Sequence, residues 1–155
     1  MKKAVLCFVL FNDEILMINR NKPPFMGLWN AVGGKILDSE DVFLASVREI
    51  KEESGIDVKD VDLISTFTWN YDDEVGYAVV SKITDKDFCR KDFPKNTVEG
   101  IVDFKKIDWV LNEKNYGVIE DLRVFLSDIN SGQKRDYHLV YDNKTLKEVI
   151  IKDKN

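Results

Sequence analysis

Histidine occurs once in this sequence, at His138, cysteine twice, at Cys7 and Cys89, and proline three times. Two cysteines make neither a disulfide framework nor a zinc spacing. With Cys7 inside an apolar run, both are expected as reduced thiols in or near the core. The histidine falls in a predicted strand and reads as structural. So few prolines, with eight glycines, exclude a disordered or fibrous chain. Positive charge is short as well: 23 Lys and Arg against 28 Asp and Glu leave a net charge of −5. No basic footprint for nucleic acid polymer or anionic membrane results, so a small anionic ligand would need a local site or a metal to overcome the field. No run approaches the ~18 apolar residues of a membrane span. The start M-K-K-A-V-L-C-F-V-L-F-N-D-E imitates a signal peptide but lacks a small-residue cleavage site and breaks at once into Asn12, Asp13 and Glu14, so a buried first strand and a cytoplasmic protein are expected.

What is present is a globular pattern, 44% hydrophobic and 33% charged over 155 residues. That length suits one domain, 1–155, with a real core. Residues 3–11 and 15–20 read as a hairpin, and N-K-P-P-F-M-G-L-W-N as a loop. A-V-G-G-K-I-L reads as two brief strands around a Gly-Gly turn. A helix is predicted from a cap at Asp38 or Ser39 to Ser54, with Gly55 as its left-handed stop. Residues 57–70, 75–84 and 100–109 alternate as strands, a second helix is expected over 117–129, and 136–151 as a closing hairpin turning at Asp142-Asn143. Strands with two interspersed helices predict a mixed α/β fold, a sheet covered on both faces.

On the first helix, at about 100° per residue, Phe43, Val47 and Ile50 cluster within roughly 60° and form the expected buried stripe. Glu49, Glu52 and Glu53 share an arc pointing away from it. Like charges at such spacings repel by a few tenths of a kcal/mol per pair. A hard cation would relieve this: clustered carboxylates with a backbone carbonyl from the Gly-Gly stretch suit Mg²⁺ or Mn²⁺, which bind through a few carboxylates plus substrate phosphates.

From Gly34 to Ile56 the sequence reads G-K-I-L-D-S-E-D-V-F-L-A-S-V-R-E-I-K-E-E-S-G-I. It resembles the Nudix box, G-x5-E-x7-R-E-U-x-E-E-x-G-U with U apolar, at every specified position. Chance agreement in a chain of this length is on the order of one in a million. The resemblance implies an α/β/α sandwich around a mixed sheet and metal-dependent hydrolysis of a nucleoside diphosphate linked to another group. It implies Glu49, Glu52 and Glu53 as metal ligands with the Gly34 carbonyl, Arg48 as the residue that orients them, and Glu40 and Gly55 as fixed points of the loop and helix. Glu99 resembles an additional acid of MutT-type members, and it or a helix glutamate would accept the proton. G-L-W-N-A-V-G-G-K is similar to the stretch of the subgroup that clears oxidised purine nucleotides such as 8-oxo-dGTP. This makes Asn30 a candidate reader of the base, Trp29 either pocket wall or core, Arg20 a phosphate contact, and Lys35 a further substrate-binding candidate. The paired acids of that subgroup have no clean counterpart: Glu120 and Asp121 do not align without gaps. Trp69 and Tyr71 could stack on a base or fill the core, and Tyr71 lies about where diadenosine polyphosphate hydrolases keep a tyrosine. A nucleotide-binding sensor without turnover is the alternative of another class. A monomer or homodimer acting on a small-molecule nucleotide is expected.

Overall fold

The computed structural model describes residues 1–152, so the last three residues of the predicted 1–155 domain lie outside it. Its elements are β1 (Lys2–Phe11), β2 (Glu14–Arg20), β3 (Trp29–Lys35), α1 (Val42–Ser54), β4 (Asp62–Trp69), β5 (Glu74–Lys82), β6 (Lys95–Asn96), β7 (Gly100–Lys106), α2 (Ile107–Leu111), α3 (Leu122–Ser131), β8 (Asp136–Asp142) and β9 (Thr145–Lys152). The strands form one mixed sheet in the order β6-β7-β2-β3-β1-β5-β4-β8-β9. β1 runs parallel to β5 and β4 parallel to β8; the other neighbours are antiparallel. No helix among the described residues is long and apolar enough to cross a membrane.

β1 reads as an unbroken apolar run because both of its faces are covered. Val5, Cys7 and Val9 face the core beneath α1, with Leu16, Val32 and Ile50. Phe8 and Leu10 face the opposite core under α3, where Phe8 meets Phe125 at 5.8 Å between ring centres. The predicted sandwich is therefore present, with α1 on one face and α2 and α3 on the other. Cys7 is buried, but Cys89 is exposed, contrary to the expectation that both lie in or near the core.

Four predicted features differ. The β1–β2 hairpin pairs only beside its turn, Leu10 with Ile15 and Phe11 with Glu14. Beyond that the strands part and β3 runs between them, pairing Met17 with Ala31 on one side and Cys7 with Val32 on the other. Gly33 and Gly34 are not a turn but the interior of β3. A Cβ on Gly33 would lie 2.1 Å from the Val5 carbonyl oxygen, so glycine here permits close approach to β1. The second large helix starts at Leu122 rather than 117, because Val118 bridges onto Trp29 and its neighbours bond there: Trp29 N–H donates to Gly117 O (2.8 Å) and Ile119 N–H to Trp29 O (3.0 Å). The strand expected over 100–109 ends at Lys106 and gives way to the short α2, which buries Val110.

Candidate active site

Helix α1 starts later than its sequence suggests. Asp41, not Asp38 or Ser39, is its cap, and Asp41 Oδ1 accepts the Leu44 N–H at 2.8 Å. The preceding loop closes on itself: Glu40 N–H donates to Leu37 O (2.9 Å), and Leu37 N–H to Glu40 Oε1 (3.0 Å). The helix is also rotated from the predicted orientation. Phe43 is 44% exposed, and the buried residues are Ala45, Ser46, Ile50 and Ser54. The two serines behave as small core residues because their hydroxyls donate to carbonyls one turn back, Ser46 to Val42 (2.7 Å) and Ser54 to Ile50 (2.6 Å). This rotation splits the three glutamates. Glu49 turns toward the sheet with its side chain 12% exposed, and Glu53 with it, while the Glu52 side chain stays 58% exposed.

Arg48 ties the loop, β3 and helix together. Its Nε and Nη2 donate to the Glu40 carboxylate at 2.6 and 2.8 Å, a bidentate pair. Nη2 also donates to the Lys35 carbonyl at 2.9 Å, and Nη1 reaches Glu49 (2.9 Å) and Glu52 (3.2 Å). These bonds from Arg48, with the Leu37 N–H, hold the Glu40 carboxyl at about 2. At the far end of the helix Gly55 takes φ 80°, and its N–H donates to Lys51 O at 2.8 Å.

Glu53 lies against the strand glycines, accepting the Gly33 N–H at 3.3 Å. Burial first, and then the charge of Glu49, push its carboxyl up to about 8. Glu99 adds to the rise, while the Gly33 N–H and Arg20 oppose it. Burial raises Glu49 as well, against the pull of Arg48. Gly34 leaves room for the Glu49 carboxylate, which a Cβ there would meet at 2.4 to 2.7 Å and push aside. Glu49, Glu53 and the Gly33-Gly34 backbone thus share one spot, with Glu99 and Arg20 within electrostatic reach. Among the described residues no three His, Cys, Asp or Glu side chains converge as they stand on a point that would hold a metal, and Arg48 engages both Glu49 and Glu52. The donor chemistry nevertheless fits a hard divalent ion: all the side chains are carboxylates, and the buried negative charge that lifts Glu53 is what a cation would neutralise.

Next to this spot opens a cavity of about 310 Å³, within the usual range for small-molecule sites. Gly34, Lys35 and Glu53 line it together with Asn30, Trp69 and Asp121. The Asn30 Oδ1 accepts the Ala31 N–H at 2.9 Å, which leaves its amide nitrogen to donate. Arg20 lines the cavity too, but its guanidinium holds the loop, donating to Pro24 O (3.2 Å) and Pro23 O (3.4 Å). Trp29 is not among the lining residues. It packs on the core beneath Lys105, whose Nζ sits 4.5 Å from the ring centre. Glu99 lies on the neighbouring loop, 3.9 Å from Lys22 and outside the cavity wall. Trp69 and Tyr71 both line the cavity, with ring centres 5.8 Å apart. His138 bonds Thr68 Oγ1 at 2.8 Å in the sheet, away from the cavity.

Asp121 was not a predicted site residue. It is buried at the cavity, and burial lifts its carboxyl to about 6 against the opposing hydroxyl of Tyr141 and indole N–H of Trp69. Its sequence signal is an acidic pair, Glu120-Asp121, set between the apolar Val118, Ile119 and Leu122, of which only Asp121 is buried.

The model of the NUDIX domain matches residues 1–121. Nudix hydrolase 8 of Arabidopsis thaliana is 36% identical over 61 residues, which cover 37% of this chain and 16% of that protein. An 8-oxo-dGDP phosphatase of Danio rerio is 34% identical over 58 residues, covering 36% and 18%. This chain thus aligns with less than a fifth of either relative. The crystal structure of a MutT protein from Bacillus halodurans shares the fold at a TM-score of 0.77, 22% identity and 97% coverage of both chains. The NUDIX domain of NrtR from Shewanella oneidensis, complexed with ADP ribose, gives a TM-score of 0.66 at 15% identity, covering 84% of this chain and 88% of that one. A match from residue 1 through Asp121 takes in the inserted strand, the glutamate helix and most of the cavity wall, and by it this chain belongs to the NUDIX domain family.

Proposed function

We propose that the chain hydrolyses a nucleoside triphosphate to monophosphate and pyrophosphate with a divalent metal, Mg²⁺ or Mn²⁺, and that an oxidised purine nucleotide such as 8-oxo-dGTP is its substrate. One observation carries this reading: the carboxylates at Gly33-Gly34 and a cavity walled by Asn30, Trp69 and Asp121 are continuous, so a phosphate chain and a base can be held at once. Glu49, Glu52 and Glu53 with the Gly34 carbonyl would hold the metal, which supplies neutralisation of phosphate oxygens and a more acidic water. Arg48 keeps Glu49 and Glu52 in place while Glu40 anchors Arg48. Glu53, or Glu99 beside it, accepts the proton of the attacking water. Asn30 donates to the base, and Asp121, whose carboxyl sits near 6, can accept from a purine edge or donate to it according to its protonation state. Trp69 and Tyr71 offer ring faces for stacking. Lys35 lines the phosphate end of the cavity, and Arg20 acts through the loop it braces. The match to an 8-oxo-dGDP phosphatase supports the oxidised purine base of this reading, that relative's named substrate being the diphosphate.

The test is incubation with Mg²⁺ and a panel of canonical, oxidised and dinucleotide substrates, with the products identified. Pyrophosphate plus monophosphate from an oxidised purine triphosphate is the expected outcome, and chelation is expected to abolish it. Preferential cleavage of a dinucleoside polyphosphate would replace the substrate, and tight binding with no turnover of any compound would replace hydrolysis by sensing.

A further inference from the structure

The two edges of the sheet are unlike. β6 ends one side with two residues, Lys95 and Asn96, too short to recruit another strand. β9 ends the other with eight, and among the described residues only β8 pairs with it. Val149, Ile150 and Ile151 on that edge are 38%, 40% and 53% exposed. An open edge carrying three successive exposed apolar residues is what folded proteins usually shorten, charge or cover.

The strand's own sequence indicates what covers it. A shift in pairing between Val140 and Tyr141, opposite Glu148 and Leu146, leaves Lys147 as the extra residue of a bulge. Beyond it, Glu148 to Lys152 pair in regular register with β8. In an antiparallel pair, opposed residues are alike, both exchanging backbone bonds or neither. Two copies of one edge can therefore meet only about a two-fold axis that passes through a residue, opposing that residue to itself. Centred on Glu148, the axis would oppose two glutamates; centred on Val149 or Ile151, it would set a charged side chain against Ile150. Centred on Ile150, it opposes Ile150 to itself, Val149 to Ile151 twice and Glu148 to Lys152 twice. Every pair then matches apolar with apolar or negative with positive, and the five residues used are the regular segment beyond the bulge.

We propose that β9 is a self-association edge, pairing with β9 of a second copy about a two-fold axis at Ile150 to join two sheets into one. Val149 and Ile151, opposite Leu139 and Tyr137 of β8, then continue the core on the α3 face across the junction. The Lys152 ammonium, which donates to Thr68 Oγ1 at 3.2 Å on the surface, exchanges that bond for the partner's Glu148. Five residues a side is a small contact, so the dimer is a weak one that forms as concentration rises.

Sedimentation equilibrium of the full chain from about 10 µM to about 1 mM tests this range of affinity. The expected result is a rise in mass from 17.9 kDa toward twice that value, without larger species. Ile150→Lys is expected to hold the chain monomeric, with its circular dichroism and nucleotide turnover unchanged. Glu148→Lys and Lys152→Glu are each expected to raise the dimer dissociation constant about tenfold, and the double exchange to restore it. A monomer at every concentration, open-ended association, a dimer indifferent to these substitutions, or a double exchange that fails to restore it would each overturn the proposal. None of these outcomes bears on the hydrolytic reading, because the substituted side chains lie outside the cavity.

Discussion

Glu53 and Asp121 are both carboxyls raised by burial, and both line one cavity. Replacing Glu53 by Gln keeps its shape and removes a carboxylate proposed as metal ligand and as one of two candidate proton acceptors. The expected loss is at least about 100-fold in kcat, roughly 2.7 kcal/mol of transition-state stabilisation, read by steady-state kinetics in Mg²⁺. An unchanged rate would remove the helix from the chemistry. Asp121 bears on stability as well as on the base. Its carboxyl titrates near 6 in the folded chain, above the ordinary 3.8, so the folded state binds the proton more tightly than the unfolded one. Stability attached to this group is therefore complete below 3.8 and is lost as pH rises through 6. Asp121→Asn, which cannot ionise, is expected to melt higher than the parent at pH 8 by about 1–3 kcal/mol equivalent and to match it at pH 4. The same substitution is expected to alter base selectivity, so thermal melts at two pH values and kinetics on two bases separate its two roles.

At the scale of elements, β3 and α1 make the site by packing closely, and the two glycines report on different halves of that contact. Gly33→Ala drives a methyl into the Val5 carbonyl and is expected to destabilise by about 1–3 kcal/mol in chemical unfolding. Gly34→Ala meets instead the flexible Glu49 carboxylate, so the expected result is a larger loss of kcat than of melting temperature. If both variants lost stability equally, the distinction between backbone and side-chain contact would fail. Spacing alone was enough to group Arg48, Glu49, Glu52 and Glu53, since residues three and four apart share a helix side. It was not enough to orient the helix, because Ser46 and Ser54 do not read as core until their hydroxyls are seen bonded to the preceding turn. The strand character of Gly33-Gly34 was hidden for a related reason: two glycines mark a turn unless another backbone lies against them. Asp121 is set aside with Glu120 in the sequence because neither aligns without gaps, and its burial depends on Trp69 and Tyr141, which are distant in the chain.

Across the whole molecule, protection is expected to follow position in the sheet. β1 lies between β3 and β5 with both faces covered, whereas β9 has an open edge. In dilute solution the amides of Val5 to Val9 are expected to exchange most slowly, and those of β9 and of the loop at 21–28 most quickly. A uniform exchange pattern would contradict so layered a sheet.

The parted hairpin also sets a problem of assembly. β1 and β2 are adjacent in sequence and joined by a short turn, so they can zip together sooner than any distant pair can form. A complete zipper, however, occupies the edges that β3 must take, and it has to reopen before the glutamate helix finds its floor. Refolding is accordingly expected to slow at low denaturant, bending the folding limb of the chevron, because conditions that favour structure also favour the premature zipper. A strictly linear limb would mean that β3 arrives first.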